Sequence, residues 1–238
     1  MNKSFIMTLR KNIVLILCLF IILIAYLFQL DKYNLLYHLG DEFGYWADAA
    51  YLYGYDWSGV TSHNTYYSFG YSFVLAPLFN IENFELRYKM ALVANGIFQI
   101  ISFLLLRDIA KRIFNSISNT TCTLISLCIT LYTSNIFFSK TTLCESFLYC
   151  VFIVLTFLII RICESGKWIH YTLLSVFTPL IFAVHMRALG VALSIGVFLL
   201  LEFIINKTSR KKIVVTVFFT CILFLLVFIY KEHLIHDL

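Results

Sequence analysis

Residues 13–48 read IVLILCLFIILIAYLFQLDKYNLLYHLGDEFGYWAD. The first half, Ile13 to Leu30, is apolar except for Gln29 and has about the minimum length for a helix that crosses a bilayer. A short basic segment with Lys3, Arg10 and Lys11 precedes it. The run is too long for a signal-peptide core and no small-residue cleavage site follows, so it reads as a retained anchor. The second half changes character. Asp41, Glu42 and Asp48 stand there among the rings of Tyr37, Phe43, Tyr45 and Trp46. On a helix Asp41, Tyr45 and Asp48, at i, i+4 and i+7, share one face. Gly54 is a suitable stop for that helix.

The rest of the chain is as apolar as its beginning. Hydrophobic residues make up 61% and charged residues 13%, against about 45–50% and about 25% in soluble domains. No water-surrounded core could hide that many apolar side chains, and the expected fold is an all-α polytopic membrane protein. The stretch from Asp31 to Glu85 is the one long polar segment and holds nine of the fifteen tyrosines. Within it Tyr71–Phe79 is apolar but too short to span, so it is expected to lie in the interface or to re-enter, with Pro77 ending or bending it. Further spans are expected at Leu86–Leu106, Thr120–Phe138 and Thr142–Ile160. His170–Ile205 is too long for one crossing and divides at His185-Met186-Arg187, and Ile213–Tyr230 makes a last span. That is seven transmembrane helices in a single membrane domain over 1–238, with interfacial helices in a long first outer loop at 31–85 and six further spans over 86–230.

Charge orients these spans. With the N-terminus inside, twelve Lys and Arg fall in cytoplasmic segments and six outside, namely Lys32, Arg87, Lys89, Lys140, Arg187 and Lys231. The positive-inside rule therefore predicts an integral protein of the plasma membrane with a cytoplasmic N-terminus and an outer C-terminus. The net charge of +5 is spent on topology, and no nucleic-acid partner is expected. The seven cysteines lie in or beside apolar runs without a Cys-x-x-Cys pair, which reads as packing rather than metal or disulfide chemistry. His63 and Asn64 lack ligand spacing, so no metal is expected, and no glycine loop for a nucleotide phosphate is present.

Asp41 and Glu42 are the candidate catalytic pair. Adjacent carboxylates in a partly desolvated site repel, so that one stays ionised as a general base while the other donates or orients a hydrogen bond. The plain alternative is a pair of solvated acids favoured by a helix N-terminus. Arg187 interrupts an apolar hairpin and carries the planar fork that suits phosphate; its alternative is a snorkelling cation at a hairpin tip. His185 and Lys140 follow the same logic. Glu145, at the start of the fourth span, is an acceptor contact or the partner of Lys140. Tyr45, Tyr67 and their aromatic neighbours Trp46, Tyr66 and Tyr71 are sugar-stacking candidates or members of an interfacial belt. Asp48 completes the acidic face.

Gly40-Asp41-Glu42-x-x-Tyr45-x-x-Asp48-Ala49, placed just after a first anchor span, resembles the GT-C superfamily of membrane glycosyltransferases. It is most similar to the family 39 type, the protein-mannosyltransferase and aminoarabinose-transferase group. The motif covers residues 37–79, and the seven-span layout resembles the N-terminal module of that superfamily. The resemblance implies transfer of a sugar from a polyprenyl-phosphate donor to an envelope glycan, lipid or protein acceptor at the outer face, among membrane lipids and without a cofactor. It assigns Asp41 as the base, with Glu42 beside it, and an acid near Glu145. Relatives continue beyond seven spans, so a truncated, non-catalytic module is a further expectation. A transporter or flippase is the rival from another class. It would place polar residues at mid-membrane in paired halves, whereas here they gather at one face.

Overall fold

The computed structural model describes residues 3–28, 30–32, 39–57 and 68–236. Ten α-helices occur among the described residues: α1 (Lys3–Leu27), α2 (Leu39–Tyr53), α3 (Ser72–Leu75), α4 (Phe84–Ile113), α5 (Asn119–Thr130), α6 (Thr133–Ser139), α7 (Glu145–Ser165), α8 (Trp168–Val184), α9 (Leu189–Ile205) and α10 (Arg210–His236). No strand occurs among the described residues. Among the described residues four helical segments, Phe84–Ile113, Glu145–Ser165, Met186–Ile205 and Lys207–His233, are long and apolar enough to cross a membrane, with a fifth if the bent pair α5–α6 is one span. The protein is thus helical with several membrane-length apolar helices. The described apolar part of α1, Ile13–Leu27, and α8 are shorter.

Local chemistry sets the helix ends. The Asn83 side chain accepts the Leu86 N–H at 3.0 Å to cap α4, and Ser118 accepts from Thr121 at 3.1 Å to cap α5. Gly54 at φ +100° and Gly166 at φ +52° stop α2 and α7 in the left-handed region that favours glycine. The α2 helix matches the span read from its acidic face. The apolar 71–79 stretch becomes α3 followed by a 3-10 turn at Ala76–Asn80, with Pro77 at the start of that turn.

The expected straight span Thr120–Phe138 is instead broken, with α5 and α6 meeting at 57°. Side chains take over carbonyls that a straight helix would use. Tyr26 donates its hydroxyl to the Thr130 carbonyl, and Asn135 donates to that of Ile129 at 3.1 Å. Ser126 and Thr130 also bond back to the carbonyls four residues earlier, a habit that bends helices.

The helices pack in series, α4 on α7, α7 on α8 and α8 on α10, with α1 against α4 and α5 and with α9 outermost on α8 and α10. The segment 68–80 crosses the end of this row as a strap. Its closest approach is at Gly70, whose N–H donates to the Ala183 carbonyl of α8 at 2.8 Å. A Cβ at Gly70 would stand 2.6 Å from the Val184 nitrogen and 2.7 Å from the Ala183 carbonyl carbon, backbone atoms that cannot turn aside. Gly70→Ala is therefore expected to lower stability by about 1–3 kcal/mol. Gly190→Ala, with nothing within 4 Å of its Cβ, should hold or gain a little. Thermal unfolding of the purified variants checks the contrast.

The two ends of the row differ. One gathers ion pairs: Arg112 with Asp108 at 2.8 Å and with Glu164, and Arg161 with Glu164 at 3.1 Å. At the other end lie α2, the strap, the junction between α6 and α7, and the break between α8 and α9.

Candidate functional site

A pocket of about 150 Å³ opens at that second end, lined by Asp41, Tyr45, Ser68, Leu143, Glu145, His185, Met186 and Arg187. Four separate parts of the chain meet there, with Ser68 coming from the strap. The first turns of α2 supply Asp41 and Tyr45. The start of α7 supplies Glu145, and the α8–α9 break supplies His185 and Arg187. Asp41 and Arg187 are exposed at the rim, while Tyr45 is buried with its ring edge-on to Tyr71.

Asp41 and Glu42 point in different directions, because neighbours on a helix are turned about 100° apart. Glu42 is fully buried and does not line the pocket. Its Oε2 accepts the Tyr88 hydroxyl at 2.9 Å, the Thr142 N–H at 2.7 Å and the Thr142 hydroxyl. Trp46 donates from Nε1 to the same Thr142 hydroxyl at 3.0 Å. Next to it, Tyr71 donates to Asn95 at 2.9 Å, and Asn95 donates to the Thr141 carbonyl at 2.8 Å. These buried bonds seat α2 and the start of α3 on α4 and on the α6–α7 junction. Glu42 is thus held in the packing behind the pocket, and Asp41 is the one of the two that lines it.

Tyr45 donates its hydroxyl to Cys144 Sγ at 3.0 Å, and Ser72 donates to the Tyr45 carbonyl at 3.0 Å. Burial, with Glu145 alongside, pushes the Cys144 thiol up to about 12. It stays protonated and is no nucleophile. Burial likewise raises the Tyr45 phenol, which remains a neutral donor.

The far wall is the α8–α9 break. His185 leaves the helix with φ −154° and ψ 119°, and its Nδ1 accepts the Arg187 N–H at 3.2 Å. The Met186 N–H donates to Ser68 Oγ at 3.1 Å, which ties this wall to the strap. Burial and the adjacent Arg187 charge hold the imidazole below its ordinary value of 6.5. A protonated ring would carry hydrogen on Nδ1 and lose the Arg187 bond. Unfolded chains take up this proton near 6.5 and the folded one resists it to lower pH. The contribution of neutral His185 is thus complete above 6.5 and is lost as pH falls through the lowered folded value. Unfolding temperatures measured from neutral pH downward are expected to fall more steeply for the native chain than for His185→Asn.

The other sequence candidates lie elsewhere. Lys140 is buried, and its Nζ donates to the carbonyls of Tyr26 and, at 3.0 Å, of Phe28. The cation closes the C-terminal end of α1, as lysines at helix ends do. It is not among the residues that line the pocket. Asp48 is half-buried farther along α2 and lies with Tyr51 near Tyr230 of α10. Tyr67 lies outside the described residues. Sequence reading missed Ser68, Tyr88, Thr142 and Asn95. The last of these carried a signal, since Asn95 and Gln99 stand one turn apart inside an apolar span, where polar side chains need partners. No known protein family and no curated protein sequence matches this chain.

Proposed function

We propose that the chain is an integral-membrane glycosyltransferase that moves a sugar from a polyprenyl-phosphate donor to an acceptor hydroxyl at the outer face. One observation carries this reading. Asp41, Tyr45, Glu145, His185 and Arg187, from three segments far apart in sequence, line one pocket at one end of the helices. In the proposed step Asp41 takes the proton of the acceptor hydroxyl. The acceptor oxygen forms the new bond to the anomeric carbon as the bond from that carbon to the phosphate oxygen breaks. The electron pair leaves with polyprenyl phosphate, whose charge meets the Arg187 guanidinium. Glu145 and Tyr45 orient the sugar or the acceptor. The proposed topology counts α1, the α5–α6 pair and α8 as spans beside the four long segments, which makes seven. The ion-paired end with Arg112 and Arg161 is then cytoplasmic, the pocket faces outward, and the plasma membrane is the proposed location. Glycan, lipid and protein acceptors of the cell envelope all fit this orientation.

The test is mass spectrometry of outer-envelope glycans and lipid-linked sugars in a strain lacking the chain, complemented with the native form or with Asp41→Asn. Restoration of a missing sugar by the native form alone supports the enzyme and its base. Equal restoration by both removes Asp41 as the base and favours transport or a scaffold. No defect and no restoration, with protein present in the membrane, indicates an inactive module.

A further inference from the structure

Far from the pocket, at the ion-paired end of the helices, an apolar groove of about 520 Å³ runs between α9 and α10. Gly196, Leu200 and Phe203 of α9 and Val214, Val217 and Phe218 of α10 are among its walls. From Ile213 to Cys221 it follows α10 for about 12 Å. That is close to the depth of one leaflet in a bilayer whose hydrocarbon core is about 30 Å thick. Both walls end in cations. Arg210 stands one helical turn before Val214, and its Cζ lies 5.1 Å from the centre of the Phe203 ring. Its Nε donates to the Phe203 carbonyl at 3.1 Å, so this cation touches the groove wall directly. Lys207, four residues beyond Phe203, opens the 3-10 turn Lys207–Ser209 that joins the two helices, and Lys211 follows Arg210. Lys212 donates to the Gly166 carbonyl at the α7–α8 turn, which fixes this basic connection beside the ion pairs. The carboxylates of this end are engaged elsewhere. Asp108 and Glu164 hold Arg112 and Arg161, and Glu202 accepts from Asn206 at 3.0 Å. Lys207, Arg210 and Lys211 are exposed, and among the described residues none of the three is in an ion pair.

An apolar channel of one-leaflet depth that runs out into three cations fits a ligand with a hydrocarbon chain and an anionic head. A neutral lipid would use the groove and not the charges, and a free anion the charges and not the groove. Basic pockets between membrane helices are recurrent seats for anionic headgroups. We infer that the α9–α10 groove binds an anionic phospholipid, with an acyl chain between the two helices and the phosphate at Lys207, Arg210 and Lys211. Arg210 joins the two parts of the site. Its Nε and ring contacts hold the guanidinium on Phe203, and its other N–H groups are the donors for phosphate oxygens. The inference rests on the membrane-length helices and not on the glycosyl-transfer reading. In the proposed orientation the lipid belongs to the cytoplasmic leaflet.

The experiment uses the full purified chain in detergent and a phosphatidylglycerol bearing a diazirine on one acyl chain. Labelled residues are mapped by mass spectrometry. Unlabelled phosphatidylglycerol, phosphatidylcholine with the same chains and inorganic phosphate serve as competitors. Labelling is expected to concentrate on the facing stripes of α9 and α10. Phosphatidylglycerol should displace it at a concentration roughly tenfold or more below that of phosphatidylcholine, and salt at about 1 M should shrink that ratio. A Cβ at Gly196 would meet nothing within 4 Å. Gly196→Phe therefore places a ring in the groove without forcing a neighbour aside, and it should remove the label from both helices. Lys207→Gln combined with Arg210→Gln should keep the label and abolish the preference for phosphatidylglycerol.

Label spread evenly over the apolar helices overturns the inference. So does equal displacement by phosphatidylcholine, which marks ordinary lipid contact, or full displacement by inorganic phosphate, which marks a simple anion site. A groove shielded from label in a dimer of this chain gives the face to a second copy and overturns it too. A preference for phosphatidylglycerol that survives the double substitution places the headgroup elsewhere and defeats the assignment of Lys207 and Arg210. Mapping and competition on the native protein decide the first points even if a variant fails to fold. The assay reads lipid binding and not sugar transfer, so the site and the enzyme reading stand or fall separately.

Discussion

Asp41→Asn is expected to lower sugar transfer by about 10²–10⁴-fold, the usual contribution of a general base. The substitution keeps the shape of the side chain and removes its ability to take a proton. Asp41 is exposed at the pocket rim on the first turn of α2, while the buried bonds of that helix run through Glu42 and Trp46. The variant should therefore unfold within about 0.5 kcal/mol of the native chain, as surface changes usually do. A purified transfer assay, with unfolding followed on the same samples, separates the two quantities. Loss of rate at unchanged stability assigns the base. Retained rate removes Asp41 from the chemistry, whatever else the pocket does.

The opposite pattern is expected one residue along. Glu42→Leu leaves the Tyr88 hydroxyl and the N–H and hydroxyl of Thr142 without the oxygen they now share. Each unsatisfied buried group costs about 1–3 kcal/mol, so the total is several kcal/mol and the variant should accumulate poorly in the membrane. Glu42→Gln keeps one carbonyl oxygen and should fall between. A cycle of Glu42→Gln with Tyr88→Phe is expected to show coupling in the range of about 0.5–3 kcal/mol found for residues in one network. Additivity of the two changes would mean that the contact does not hold α2 to α4. The proposed division between the adjacent acids, one for rate and one for stability, is thus read from which measurement moves.

How much of this was legible in the sequence depends on the range of the forces involved. The α2 helix, the short apolar element before Asn80 and the break at His185-Met186-Arg187 follow from local periodicity and from Gly54 and Pro77, so they could be read directly. The gathering of Asp41, Glu145 and Arg187 at one end was legible because alternating spans return polar junctions to the same side. The bend between α5 and α6 was not, since it depends on Tyr26 reaching the Thr130 carbonyl across 104 positions. The reach of Lys140 to the backbone carbonyls at the end of α1 was hidden for the same reason, since no spacing rule reveals a contact across more than a hundred positions. Glu42 was read as half of a reactive pair because sequence places it beside Asp41. Only the helix turn and the positions of Tyr88 and Thr142 separate their surroundings.

The clasp of Lys140 on the end of α1 also orders events during synthesis. The Tyr26 carbonyl emerges 114 positions before the ammonium group that binds it. At ribosomal speeds of about 5–20 residues per second, the first helix waits on the order of ten seconds for its partner. The Ser68–Met186 bond, across 118 positions, imposes a similar delay on the strap. Until both partners arrive, the first helix lacks its clasp and the pocket lacks its far wall. The newborn chain therefore passes through an interval in which its first helices are made and its pocket does not yet exist.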